Sequence, residues 1–263
     1  MPDPRYSLNP SYEFVLGPYN DVCGTDTVVA LLPASSLAAI IVEPMQGAGG
    51  CIPGKTDFLQ HLRNVATEHD AILIFDEVMT SRLAYRGLQS KLGIKPDITT
   101  LGKWAGGGMG FGAFGGRQEI MEMFDPRRGM LVHSGTFNNN TITMAAGIAG
   151  CHIYNEEAVE KLNSLGDTLR GLITTSINNY ISARHGEKRL IDVTGIGSLM
   201  NITFSGPEKD ILQALFYHHM LSEGIYIATR GYLALNLELT MENVEAFIRS
   251  LELFLERYKA HLR

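Results

Sequence analysis

The chain has 263 residues, 45% hydrophobic and 19% charged, enough apolar material for one large or two modest domains. Its formal net charge of −6 argues against a nucleic-acid or anionic-membrane footprint and favours a small-molecule ligand. Cys23, Cys51 and Cys151 show no C-x-x-C spacing, so neither a disulfide framework nor a zinc ribbon is indicated, and reduced thiols in a cytoplasmic setting are expected.

Residues 1–30 contain Pro2, Pro4, Pro10 and Pro18 and read as an extended lead-in, a connector whose preceding part is missing, without a secretory pattern. Leu37 to Val42 is an apolar run suited to a buried strand, and it ends in Glu43-Pro44 and the loop Gly47 to Gly50. Thr56 is a plausible N-cap for a helix whose apolar residues Phe58, Leu59, Leu62, Val65 and Ala66 recur at helical spacing. The run Ala71 to Phe75 reads as a strand buried on both faces, ending in Asp76-Glu77. Strand, helix, strand is a right-handed crossover unit. A further short strand, Asp97 to Leu101, delivers Gly102-Lys103 into a glycine-rich turn, so a carboxylate and an amine stand at the ends of two parallel strands, the edge where open α/β sheets bind ligands.

Residues 117–124 suggest a short helix, and the polar segment His133 to Asn140 leads into a helix start, an anion-site candidate. Helices come next from about Thr141 to Asn155 and from about Glu157 through Leu172. The remainder predicts strands near 190–193, 199–204, 225–228 and 232–237, a helix over 208–222, and a last helix capped by Thr240 with Val244, Phe247, Ile248, Leu251 and Leu255 on one face. The expected division is 1–150 for a cofactor-binding region and 151–263 for a small α+β domain.

A lysine near a carboxylate can anchor a carbonyl cofactor. Pyridoxal phosphate suits both groups, since Asp76 would keep its pyridine nitrogen protonated while Lys103 forms the Schiff base. The plainer alternative is that Asp76 caps a turn and Lys103 is a solvated charge. Gly110 to Gly115 matches G-x-G-x-x-G, but no strand directly precedes it and the residues after it read as strand rather than helix. P-loop, zinc-protease and serine-hydrolase signatures are lacking, and no metal site is suggested. His218-His219 reads as a surface or packed pair, and Arg82 and Arg230 are each able to bind a carboxylate or remain solvated.

Phe75 to Thr80, Thr99 to Lys103, Gly135-Thr136-Phe137 and Glu43 to Gly47 together closely resemble class III (subgroup II) pyridoxal-phosphate aminotransferases, nearest to glutamate-1-semialdehyde aminomutase-like members, over nearly the whole chain. The resemblance implies an α/β chain of fold type I: a partial large domain with a mainly parallel sheet, then a small C-terminal α+β domain. It implies Lys103 as the Schiff-base lysine, Asp76 on the pyridine nitrogen, Val78 packed on the ring, and Gly135 and Thr136 reaching the phosphate of the other subunit in a homodimer with shared sites. Glu43 would lie on the substrate side. Reaction would move an amino group between an amine or amino acid and a keto acid or aldehyde.

Three departures stand out. The family's main phosphate-binding turn and ring-stacking aromatic lie before the start of this chain; Ala48 stands where aminomutases usually have asparagine; and Met79 stands where many transaminases have glutamine. Asn140 also replaces a proline frequent in that loop. The alternatives are an aminomutase, a truncated non-catalytic paralogue or partner subunit, and a site completed by a second polypeptide.

Overall fold

The computed structural model describes residues 13–128, 131–181 and 189–262. Part of the expected lead-in, residues 1–12, lies outside them. The remainder of the lead-in is not wholly extended, because helix α1 occupies Val22–Ala30, with the Asp21 carboxylate accepting from Gly24 N at 2.9 Å. An Asx cap is enough to start a helix once Pro18 is past. Asn20 straps this lead-in to the chain beyond, donating to Pro53 O and accepting from Lys55 N.

Strand β1 (Ala39–Val42) leads to a small antiparallel pair, β2 (Met45–Gln46) and β3 (Ile52–Pro53). Helix α2 (Thr56–Glu68) follows and buries all five apolar positions expected of it. Its N-cap is Lys55, not Thr56, and Lys55 makes no side-chain cap bond; Thr56 is already the first helical residue. Strand β4 is Ile72–Asp76, a 3-10 turn spans Thr80–Leu83, and α3 is Leu88–Leu92. Strand β5 (Ile98–Gly102) runs into a second 3-10 turn, Lys103–Gly106, and then β6 (Gly112–Gly116). Strand order is β1-β4-β5-β6, with the first three parallel and β6 antiparallel. The G-x-G-x-x-G match therefore lies largely in a strand paired with β5 rather than at a strand-to-helix turn, and the nucleotide-loop reading falls.

The expectation of burial on both faces is corrected by the sheet. Leu73 and Phe75 of β4 are wholly buried beneath α2, while Ile72, Ile74 and Asp76 on the opposite face are only half-buried, and Ile41 of β1 is 63% exposed. An apolar run does not by itself say how many layers cover it.

Helices α4 (Gln118–Met121), α5 (Thr141–Ile153) and α6 (Glu156–Tyr180) come next. Asn140 and Asn155 cap α5 and α6 through their side-chain oxygens. Then β7 (Ile191–Ile196), β8 (Leu199–Phe204) and β9 (Tyr232–Ala234) form an antiparallel sheet backed by α7 (Lys209–Ser222) and α8 (Met241–Tyr258). No strand forms at 225–228: Ile225 N bonds Met220 O to close α7, and a single bond from Ala228 N to Tyr232 O reaches β9 without forming a ladder. One core runs from Leu162 to Leu262, with Phe216 and Phe254 completely buried; a second gathers Val42, α2, β4 and Ile94. His219 is buried in the first, hydrogen-bonded to Ser250 O at 2.8 Å, whereas His218 is exposed. Among the described residues, no helix is long and apolar enough to cross a membrane.

Candidate active site

The parallel pairing of β4 with β5 sets Asp76 opposite Thr100. Thr100 Oγ1 donates to Asp76 Oδ1 at 3.0 Å, and Val78 N donates to the same oxygen at 3.0 Å. Both bonds fall on Oδ1, and among the described residues none engages Oδ2. Sequence reasoning missed Thr100; the signal that could have found it is the register, which aligns a hydroxyl with the acid across two strands.

Val78 then turns back over the next strand. Its Cγ1 is 3.3 Å from the point where a Cβ on Gly102 would stand, so Gly102 lets the valine and the strand end approach. The following residue is Lys103, with a positive φ of 52°. A non-glycine residue in this region costs about 1–2 kcal/mol and persists only where its surroundings impose it. Lys103 is exposed.

Glu77 faces the other way. It is fully buried and accepts from Thr80 Oγ1, Leu88 N and Gln89 N, tying the turn after β4 to the start of α3. Burial pushes its carboxyl above the usual range, and those three donors partly offset the shift. Its role is to hold the turn that carries Asp76 and Val78.

Glu43 is held by its own loop, Oε2 accepting from Gly47 N at 2.9 Å, and Tyr19 Oη donates to its backbone carbonyl at 2.8 Å. Burial raises the Tyr19 phenol, with Glu43 adding to the effect, so this donor keeps its proton. Gly47 lies directly against Met79 Sδ, which brings the Glu43 loop onto the turn after Asp76. Cys51 in the same loop is buried, and its thiol is pushed up to about 11 by desolvation, which makes it an inert packing residue.

Arg82 is half-buried rather than solvated. It donates to Leu235 O, and its own carbonyl accepts from Tyr154 Oη at 2.7 Å and Asn163 Nδ2 at 3.1 Å. Arg230 is exposed, with its guanidinium 5.0 Å from the Tyr232 ring centroid. Gly135 and Thr136 lie in an exposed turn, with Asn138 N bonded to Gly135 O, and among the described residues no bond ties them to the Asp76–Lys103 end. That turn sits after His133, whose ring meets Phe114 of β6 edge-on.

Asp76, Thr100, Val78, Gly102 and Lys103 thus share one end of two parallel strands, with Glu43 approaching through Gly47 and Met79. The arrangement presents an oriented carboxylate, an aliphatic side chain and an amine.

Residues 20–255 match the family model described as Aminotransferase class-III. The chain is 46% identical over 264 residues to β-phenylalanine transaminase of Variovorax paradoxus, covering 95% of this chain and 58% of that protein. A crystal structure of that aminotransferase superposes with a TM-score of 0.87 at 44% identity, over 95% of this chain and 59% of that one. Identity to glutamate-1-semialdehyde 2,1-aminomutase of Clostridium kluyveri is 42% over 229 residues, 84% of this chain and 54% of that protein. A transaminase solved with PLP bound gives a TM-score of 0.85 at 29% identity, over 95% of this chain and 58% of its own. The chain therefore spans somewhat more than half the length of these relatives. With Asp76, Val78, Gly102 and Lys103 at one strand edge and a family match over most of its length, the chain belongs to the class-III aminotransferases.

Proposed function

We propose that this chain carries the lysine and aspartate of a pyridoxal-phosphate site that moves an amino group between an amine or amino acid and a keto acid or aldehyde. The observation that carries the reading is the Asp76 carboxylate, held on Oδ1 by Thr100 and Val78 N beside the turn that bears Lys103. When bound, the cofactor supplies an aldehyde that condenses with amines and a protonated ring that draws electrons from the adjacent carbon. Asp76 Oδ2 would accept from the ring nitrogen, and Val78 would pack against one ring face. Lys103 would hold the aldehyde carbon, and once displaced by substrate its amine would take the Cα proton and return it at the neighbouring position. Glu43 would line the substrate side.

Gly135 and Thr136 would contact the phosphate bound by a second copy, which makes the working form a homodimer with shared sites. Residues 1–150 would form the cofactor-binding region and 151–263 the small domain, in a cytoplasmic protein. The 46% identity to a β-phenylalanine transaminase makes an aryl β-amino acid the first donor to test.

The test is to incubate the full chain with pyridoxal phosphate, reduce with borohydride and map the labelled residue. Label at Lys103, lost in Lys103→Ala together with a drop of about 10²–10⁴-fold in amino transfer, supports the reading. An unlabelled wild-type chain that matches Lys103→Ala in the assay sinks it. Isomerisation of an amino aldehyde without transfer to an acceptor would replace transaminase by aminomutase.

A further inference from the structure

Trp104, immediately after the lysine, ties two backbones that no strand pairing joins. The β4–β5 ladder runs to Asp76 opposite Thr100, and beyond it the chains diverge into the two 3-10 turns. Beyond the packing of Val78 on Gly102, a side-chain hydrogen bond joins them: Trp104 Nε1 donates to Ser81 Oγ at 3.0 Å. The same indole meets Tyr154 edge-on, with centroids 5.0 Å apart, and Tyr154 Oη donates to the carbonyl of Arg82, the residue after Ser81. The indole is thus bonded to Ser81 and packed against a tyrosine that is itself bonded to Arg82.

On the far side, the lysine's turn is pressed against α5. Gly107, with φ 60°, lies directly against the backbone of Ala146, and a Cβ on Gly147 would stand 2.7 Å from Ala105 O. Lys103 sits at the start of this clamped turn, in a backbone conformation it would not hold by itself.

We propose that Trp104 is the positioning residue of the site: its bond to Ser81 holds Lys103 in the left-handed conformation and fixes the amine relative to the turn that carries Asp76 and Val78. The proposal rests on the pyridoxal-phosphate reading for its chemical consequence, but the brace itself is testable without cofactor. Because Tyr154 belongs to the link between α5 and α6 and Arg82 bonds Leu235 at the end of β9, the brace also connects the lysine to the carboxy-terminal sheet.

Trp104→Phe keeps a ring against Tyr154 and deletes the donor; Ser81→Ala deletes the acceptor. In the full chain without cofactor, each is expected to speed amide hydrogen exchange of the Lys103–Gly107 segment by up to about tenfold, with the double variant no faster than either single. Exchange in α8 and the thermal midpoint should stay near wild type. With pyridoxal phosphate added, both variants should shift the pH midpoint of the bound cofactor's absorbance and slow borohydride-fixed labelling of Lys103. Unchanged segment exchange in the single variants, additive effects in the double, or faster exchange everywhere would each overturn the proposal. So would an unmoved pH midpoint in variants that label as fast as wild type. A wild-type chain that takes up no cofactor overturns the pyridoxal-phosphate reading instead, and the exchange data then decide the brace alone.

Discussion

The carboxy-terminal sheet and the lysine-bearing sheet are built from similar material but buried to different degrees. Strands β7 to β9 lie beneath α6, α7 and α8, and the core there is closed around Phe204, Phe216 and Phe254, whose rings pack at 5.1–6.0 Å. The lysine-bearing sheet is covered on the α2 side, while its opposite face leaves Ile41 exposed, and α5, which packs on the lysine's turn, buries none of its residues. Ile142, Ile148 and Ile153 of α5 are all more than half exposed. Stability belongs to the first region; the proposed site lies in the second, where the chain's own elements supply one layer fewer.

The sharpest way to break this contrast is to truncate at both places. Phe254→Ala should lose about 3–5 kcal/mol in urea unfolding, since the side chain it empties is packed among the rings of Phe204, Phe216 and Tyr258, whereas Ile41→Ala should stay within about 0.5 kcal/mol. Similar losses at the two sites would erase the distinction.

A smaller effect is expected at the seam between the lysine's turn and α5. Gly107→Ala forces a Cβ into the Ala146 backbone at a positive φ and should cost about 2–4 kcal/mol, with exchange rising in α5 before α8. Equal exchange gains in both helices would show that the two regions unfold as one.

The smallest is a pH effect confined to the lysine-bearing sheet. Burial alone would raise the Asp97 carboxyl, but bonds from Leu73 N, Arg63 and Arg117 together hold it below its usual value. A depressed carboxylate stabilises the fold fully above its unfolded pKa, about 3.9, and that contribution is lost as pH falls through the lower folded value. Asp97→Asn should therefore cost about 1.5–3 kcal/mol at pH 7 and progressively less toward pH 2, read from urea midpoints. A difference that does not change with pH would assign the effect to packing.

Much of this was legible along the chain. The apolar runs before Asp76 and Lys103 marked the two central strands, and the 3.6-residue period marked α2 and α8, because those signals are local. Helix α1 was not legible because it buries only Thr25 and presents no apolar stripe. The expected strand at 225–228 failed because Ile225 closes onto the end of α7 and the segment meets β9 through one bond, from Ala228 N to Tyr232 O, too few for a ladder. At the site, Asp76 and Lys103 were visible by residue type, but Thr100 and the Trp104–Ser81 bond were not: their partners lie 24 and 23 residues away, and only the strand register, for the first, and the folding back of the two 3-10 turns, for the second, bring them together.

Asp97 has a further consequence at the opposite end of the same strands. Its side chain bonds the backbone of β4 at Leu73, and its carbonyl accepts from Arg117 N just past β6. Three strands are thereby pegged at their far ends, like the teeth of a comb set in its spine. A slip of one residue along β4 would turn Asp76 into the α2 core and bring Phe75 out in its place, exchanging the face of the proposed site for the packing face in a single step. A buried carboxylate at the far end of the sheet thus keeps the aspartate on the lysine's side.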